Sequence, residues 1–507
     1  FFKYLKKIHY RTFFVCLTLH QKTKDMKKLL FITIAVMVSI AAMADVWISP
    51  GQGRTYTLLQ LSQIAASGVK RPLPKLAPQA FTLNDTIVIS VNDTLEIENK
   101  DNFQLKDVSG SIFVDGAVKM SPKDSATIRC ITTFSGESSK PGQMVFRKGA
   151  SNAIIRNMRF ERISVRWDSD SSLDIRNTVF TKIWNRNALQ FVSRPPAQHI
   201  VYNNTFIDCH KVAISVNSTL TKKTECGIDV QGNTVLNCGD SVSNTMPVID
   251  LMVGGALPVS VENNTVIGNK FDAGGIRVYN GLNTKGENNV LIKGNAVKGM
   301  AFGINVTGGQ AARIIDNVCE DNHYARNTFL GYAIGIMNTI SANGIGKTTW
   351  VEGNTMKGSQ IGLYVSGKNT KANVGNVELS GSSSYNPGNN KLDQNGFEQV
   401  DGGYIYSLNS PCDLYNNTPN DMYAEGNTWG ANATTDEEIR ARIRDFYFKD
   451  MLGKVWFRIG QDGVESTEAD VMIIAIYDLQ GNRHKTVTSG INIVRYSDGS
   501  IRKIMVR

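Results

Sequence analysis

Short triplets with an apolar residue on either side of a variable one recur along the middle of the chain. They include Ile214-Ser215-Val216, Ile249-Asp250-Leu251, Ile276-Arg277-Val278, Ile304-Asn305-Val306 and Leu363-Tyr364-Val365. This alternation has the period of a strand with one buried face. Strands so short bury little alone, but stacked at about 4.8 Å they pair with the rungs on either side and share one continuous core.

Between these triplets runs a second series centred on asparagine. Its members are Asn157-Met158-Arg159, Asn177-Thr178-Val179, Asn204-Thr205-Phe206, Asn233-Thr234-Val235, Asn264-Thr265-Val266, Asn295-Ala296-Val297, Asn317-Val318-Cys319 and Asn354-Thr355-Met356, with a late copy at Asn427-Thr428-Trp429. Successive spacings run from 20 to 37 residues. Asparagine tolerates the left-handed conformation a sharp turn needs, and its amide can satisfy freed backbone groups. Repeated once per rung, such amides form a hydrogen-bonded ladder. Hairpin turns of an antiparallel sheet would return every 8–12 residues or so, which these irregular periods do not do. Leucine-rich repeats and propellers are excluded by the absence of their own patterns. The expected fold is all-β, a right-handed parallel β-helix with capped ends and a small C-terminal β module.

The ends read differently. Short strands separated by Asn-Asp turns, 82–89 and 93–97, open the coil, and residues 57–66 have the apolar spacing of a capping helix. Residues 45–120 are expected to form the N-terminal cap and first rungs, and 121–460 the main coil with its C-terminal cap. At that second end, Thr435 and Glu438 fit a capping box, and Lys454-Val455-Trp456-Phe457 a closing strand. Residues 461–507 then carry three further strand signals, beginning at Ile476, Gly490 and Ile504.

Charge at first suggests a nucleic-acid partner, since the formal net charge is +10. Eight of the Lys and Arg residues lie in the first 44 positions beside a single acid, which leaves 47 basic and 44 acidic residues. No concentrated basic patch is found in the body, so nucleic acid is not expected as a partner. Met26-Lys27-Lys28, an apolar run over 29–42 and Ala42-Met43-Ala44 have the layout of a signal peptide, residues 26–44. Fourteen apolar residues are too few to span a bilayer. Residues 1–25 precede a natural start methionine and read as an upstream extension. An exported chain, extracellular or at the outer cell surface and without a transmembrane segment in its mature form, is therefore expected. Six cysteines follow the leader with no CxxC pair and no zinc spacing. Cys209 and Cys238 each stand five residues after their motif asparagine, equivalent positions of adjacent rungs, where either a disulfide or a buried thiol stack is sterically open.

The repeated Asn-Thr-Val and Gly-Ile-x-Val segments, over roughly residues 80–430, resemble the right-handed parallel β-helix proteins of the pectin-lyase-like superfamily. The tail is similar to the C-terminal sorting domain of the type IX secretion system through Tyr477-Asp478-Leu479-Gln480-Gly481, Gly490 with Tyr496, and the basic last strand; Asn492 stands where an aromatic is usual. That resemblance implies the secretion machinery as a partner of the tail.

The superfamily resemblance implies that substrate lies along the outer face of one sheet. The outward residues of the triplets are Ser215, Asp250, Arg277, Asn305 and Tyr364. Asp250, Arg277, Asn305 and Tyr364 are the candidate substrate-binding residues, because polar groups orient a sugar chain while a ring stacks on its apolar faces. Motifs of the superfamily's enzymes are incomplete. Arg194-Pro195-Pro196 lacks the second arginine of the pectate lyase element, Trp167-Asp168 lacks its histidine, and the polygalacturonase and methylesterase signatures are absent. Near the rungs stand His199, His210 and His323, and neither His210 nor His323 has an obvious partner in the sequence. No cofactor is identified, and Asp-rich turns leave calcium open without a nameable ligand set. Three functions fit: a secreted or surface protein that interacts with polysaccharide, a polysaccharide lyase or glycoside hydrolase, and a non-catalytic adhesive or structural solenoid.

Overall fold

The computed structural model describes residues 46–64, 75–77, 79–83, 86–105, 111–131, 142–193, 197–218, 226–239, 246–253, 257–268, 273–280, 289–308, 311–324, 331–337, 348–377, 382–431, 433–458, 473–484, 486–496 and 501–506. The leader and upstream extension assigned to 1–44, and Arg194-Pro195-Pro196, lie outside these residues.

Among the described residues three long sheets run side by side along the coil, with 14, 14 and 12 strands. The chain visits them in rotation. Ile163–Trp167 lies in the first, here the groove sheet, and Leu173–Arg176 in the 12-stranded third sheet. Val179–Thr181 lies in the ladder sheet, and Leu189–Ser193 returns to the groove sheet one rung on. Successive rungs pair in parallel, as in Leu189↔Ile214 and Phe180↔Phe206. The architecture is a right-handed parallel β-helix, the hand that parallel crossovers adopt.

Among the described residues the groove sheet runs from Val46–Ile48, which pairs with Thr86–Ile89, to Ile443–Arg444. Inward residues of consecutive rungs stack directly: Phe160, Phe180 and Phe206 lie with ring centroids 5.1 and 4.8 Å apart. The N-terminal helix is shorter than expected. It spans Leu58–Gln63 between a Thr57–Gln60 capping box and an extended Ile64, and it buries Leu58 and Leu61 against the core. At the far end Thr435 and Glu438 cap Asp436–Arg440 as the spacing predicts. Among the described residues the tail module has four antiparallel strands rather than three, because Arg483–His484 adds to Ile473–Tyr477.

The asparagine series divides two tasks between neighbouring residues, and this corrects the expectation. The left-handed residue is the one before the ladder position: Asn203, Gly232, Asn263, Gly294, Asp316, Gly353, Asn389 and Gly426. At Gly353 the φ of 68° suits glycine, and a Cβ there would come within 2.3 Å of Asp316 Oδ1, which would have to turn away. The ladder itself runs Asn204, Asn233, Asn264, Asn295, Asn317, Asn354, Asn390, Asn427. Each backbone N–H donates to the next residue's Oδ1 at 2.9–3.0 Å. Asn157 and Asn177 occupy the left-handed position, with φ of 56° and 49°, so Met158 and Thr178 stand where the later rungs place asparagine.

Cys209 and Cys238 are stacked free thiols, both buried, and burial pushes the Cys209 thiol well above its usual range. His210 and His323 both have ring neighbours, contrary to expectation. His199 Nδ1 accepts from Leu173 N–H at 3.2 Å, His210 stacks on Trp184, and His323 stacks on Tyr406.

Candidate functional site

The outward column of the groove sheet is continuous in register. Ser215 pairs with Asp250, Asp250 with Arg277, Arg277 with Asn305, Asn305 with Gly335, Gly335 with Tyr364, Tyr364 with Tyr415 and Tyr415 with Arg444. The five outward residues read from the triplets therefore share one row. Asn305 and Tyr364 are separated by the rung that carries Gly335. That glycine leaves a gap in the row, which the Tyr332 ring fills: a Cβ on Gly335 would meet it at 2.4 Å.

Over the C-terminal half of this row opens a cleft of about 840 Å³. Its floor includes Arg277, Asn305, Tyr364 and Tyr415. One wall is the antiparallel hairpin of Gly396–Val400 and Gly403–Pro411, inserted between the ladder and groove sheets, and Phe448 closes the far end. Three of the four candidate residues thus line one cleft, whereas Asp250 stands just outside it. Asp250 acts on the site through its neighbour: its two carboxylate oxygens accept from Arg277 Nε and Nη2, both at 2.9 Å.

Aromatic side chains make a continuous run through the lining. Phe302, Tyr332 and Tyr364 form a stacked series with centroids 5.4 and 5.9 Å apart, and Tyr364, Tyr415 and Phe448 continue it edge to face. Phe302, Tyr332 and Phe397 belong to a small apolar cluster separate from the main core, which anchors the hairpin. Arg444 lies 3.9 Å over the Phe397 ring and donates to Ser410 Oγ at 2.9 Å. Gln360 ties the wall down from below, donating to Tyr404 O at 3.2 Å while accepting from Tyr324 N–H at 3.0 Å.

Polar side chains share the lining with these rings: Arg277, Asn305, Glu398, Gln399, Asn417 and Arg444 all border the cleft. Asn417 donates to the Tyr364 hydroxyl at 2.9 Å, and Asn305 donates to that of Tyr332. Asn305 Oδ1 is buried and has no partner among the described residues. Burial pushes the Tyr332 phenol above its ordinary range, and does the same for Tyr415 with Tyr364 adding to it. Both hydroxyls therefore stay neutral donors and acceptors at physiological pH. Glu398, accepting from Ser407 Oγ at 2.7 Å, is the one carboxylate among the described residues that line the cleft. No group of three or more His, Cys, Asp or Glu side chains among the described residues is placed to hold a metal ion. No helix among them is long and apolar enough to cross a membrane.

Tyr332, Phe397, Tyr404, Tyr415, Arg444 and Phe448 are missing from the row read off the sequence. Leu414-Tyr415 and Ile443-Arg444 do carry the inward–outward alternation, but the inserted hairpin breaks the repeat before them.

No protein-family profile matches the chain, and no curated protein matches it. Among solved structures it is similar to the periplasmic alginate epimerase AlgG, at 9% identity and a TM-score of 0.42 over 80% of this chain and 83% of that one. It is also similar to a mutant tailspike protein of E. coli bacteriophage HK620 in complex with a pentasaccharide. That match has 11% identity and a TM-score of 0.38 over 94% and 88%.

Proposed function

We propose that the cleft binds a segment of polysaccharide, as a secreted or cell-surface β-helix protein of pectin-lyase-like type would along an outer sheet face. The observation that carries this reading is the run of rings from Phe302 through Tyr364 and Tyr415 to Phe448 in a cleft that also holds Arg277, Asn305 and Asn417. Aromatic faces take the apolar faces of pyranose rings, and a few fixed amides and guanidinium groups orient the hydroxyls. Asn305 Oδ1, buried in the cleft floor, is an acceptor with no partner among the described residues.

Glycoside hydrolysis ordinarily needs two carboxylates flanking the bond. The described lining supplies Glu398 alone, and Asp250 is engaged by Arg277. The arrangement favours binding over hydrolysis. The leader and the sorting-like tail support an exported, surface-exposed setting.

The test is titration of the full-length protein with neutral and acidic oligosaccharides, followed by chromatography of the products. Saturable binding of intact chains supports the reading. Absence of binding to every class overturns it, and release of shortened or unsaturated chains replaces it with an enzyme.

A further inference from the structure

Cys209 and Cys238 occupy the turn that leaves the ladder sheet, on two adjacent rungs. Thr205–Ile207 and Thr234–Leu236 pair in parallel just before them, and Gly239 N–H donates to Cys209 O at 2.8 Å. The register of the strands therefore carries through both cysteines. Rungs at this spacing put paired Cα atoms about 4.8 Å apart, inside the roughly 4.4–6.8 Å that a disulfide spans. Both side chains turn inward, with Cys209 fully buried and Cys238 6% exposed.

Register gives no other cysteine among the described residues such a neighbour. Cys130 lies opposite Leu105, Cys226 opposite Ala197, and Cys319 between Val297 and Met356. Cys412 belongs to the small apolar cluster that anchors the hairpin.

Further along the coil the same column is stitched by side chains. Its members there are Met300, Asn322, Ser359 and Asn395, aligned by His323 N–H donating to Met300 O and Gly396 N–H to Ser359 O. Met300 N–H donates to Asn322 Oδ1 at 3.2 Å, Asn322 N–H to Ser359 Oγ at 3.2 Å, and Ser359 N–H to Asn395 Oδ1 at 3.0 Å. At Cys209 and Cys238 thiols replace these amides and this hydroxyl. A thiol is a weak donor, and theirs reach only backbone carbonyls, Cys209 Sγ to Ile207 O at 3.7 Å and Cys238 Sγ to Leu236 O at 3.4 Å. This pair of rungs lacks the side-chain stitch that its later counterparts have.

We propose that Cys209 and Cys238 are an oxidative modification site, a thiol couple that a small disulfide converts into a covalent staple between two rungs. The Cys238 thiolate, on the less buried sulfur, attacks one sulfur of the oxidant R–S–S–R. That S–S bond breaks and RS⁻ leaves. The Cys209 thiolate then attacks the Cys238 sulfur and displaces the second RS⁻. The two cysteines give up two protons and two electrons in all, and the oxidant is reduced to two RSH. Burial holds the Cys209 thiol protonated near neutral pH, so closure runs faster in alkali. Once closed, the staple restricts the unfolded chain and opposes separation of the two rungs.

The experiment uses the folded, reduced full-length protein and the variants Cys209→Ser and Cys238→Ser, each incubated with oxidised glutathione at about pH 8.5, near the ordinary thiol pKa. Thiols are then counted in denaturant and the links mapped by peptide mass spectrometry. Wild type is expected to lose two thiols and to yield one peptide pair joined through Cys209 and Cys238, two hydrogens lighter than the free peptides together. Its unfolding midpoint in urea is expected to rise and to fall back with dithiothreitol. Cys209→Ser is expected to hold glutathione on Cys238, the first step arrested for want of the second thiol. Retention of every thiol by wild type, a glutathione adduct on Cys238 that Cys209 does not displace, or links to the other cysteines overturns the pairing. A Cys209–Cys238 link that leaves the midpoint unchanged overturns the staple. Wild type alone decides both points, so the proposal remains testable if a serine variant fails to fold.

Discussion

Arg277 reaches back one rung to Asp250 and closes a two-point ion pair, Nε to Oδ1 and Nη2 to Oδ2, both at 2.9 Å. The pair lies at the mouth of the aromatic cleft, with the Asp250 side chain only 10% exposed. Asp250 thereby fixes the guanidinium that lines the floor, so the two residues act as one group.

A double-mutant cycle of Asp250→Asn and Arg277→Gln is expected to show a coupling on the order of 1–2 kcal/mol in urea unfolding. Asp250→Asn alone is expected to weaken ligand binding although Asp250 lies outside the cleft. Coupling within error of zero would show that the pair is held by the sheet and contributes nothing itself.

The asparagine ladder predicts a gradient along the coil. Asn264 donates to Val230 O and to Asn295 Oδ1, and its own Oδ1 accepts from Asn233. Asn264→Ala strands several buried groups at once and is expected to cost about 2–4 kcal/mol. Asn427, partly exposed at the last ladder rung, is expected to cost less on the same change. Equal losses at the two positions, measured by denaturant unfolding, would contradict a cooperative ladder.

Asp413, at the foot of the hairpin, accepts from Asn395 Nδ2 at 2.8 Å and faces Arg442 at 3.4 Å. Burial nonetheless outweighs these contacts and pushes its carboxyl up from 3.8 to about 7. The folded state therefore keeps a proton that the unfolded state releases, and stability falls as pH rises from about 4 to about 7. Asp413→Asn removes this loss. Relative to wild type, the variant is expected to gain on the order of 3 kcal/mol between pH 4 and pH 7.5. A pH-independent difference in unfolding free energy would contradict the shift.

His199 works in the opposite direction. Its Nδ1 accepts from the Leu173 N–H, and burial lowers its pKa from 6.5 to about 4. The unfolded chain takes up a proton that the folded one refuses, so this contribution is present above pH 6.5 and lost as pH falls toward 4. His199→Gln is expected to flatten that acid limb by on the order of 3 kcal/mol, read from unfolding midpoints at pH 4.5 and 7. An acid limb as steep as that of wild type would refute the assignment.

Much of this architecture is legible because the fold repeats. A triplet such as Ile276-Arg277-Val278 states which residues face inward, and register then aligns the outward ones without further information. The rung of Gly335 escapes because a glycine between two isoleucines carries no outward side chain to mark it. Asn390 escapes because Asn389 before it and Lys391 after it disguise the motif. The left-handed role of Asn157 and Asn177 is hidden for another reason: asparagine serves both turn positions, and only register tells them apart. The cleft itself is not legible, since Tyr332, Phe397 and Arg444 meet through an inserted hairpin whose position depends on packing across distant rungs. Residues that build the coil follow a period, whereas those that wall the site interrupt it.

The most direct test of the account is calorimetric titration of one bound oligosaccharide into wild type, Tyr364→Ala and Tyr415→Ala, with Tyr202→Ala on the third sheet as control. Loss of a stacked ring is expected to weaken binding by about 1–2 kcal/mol for each cleft tyrosine, near tenfold, and Tyr202→Ala is expected to bind as wild type does. Full affinity in both cleft variants, or an equal loss in the control, would contradict the assignment of the cleft as the glycan site.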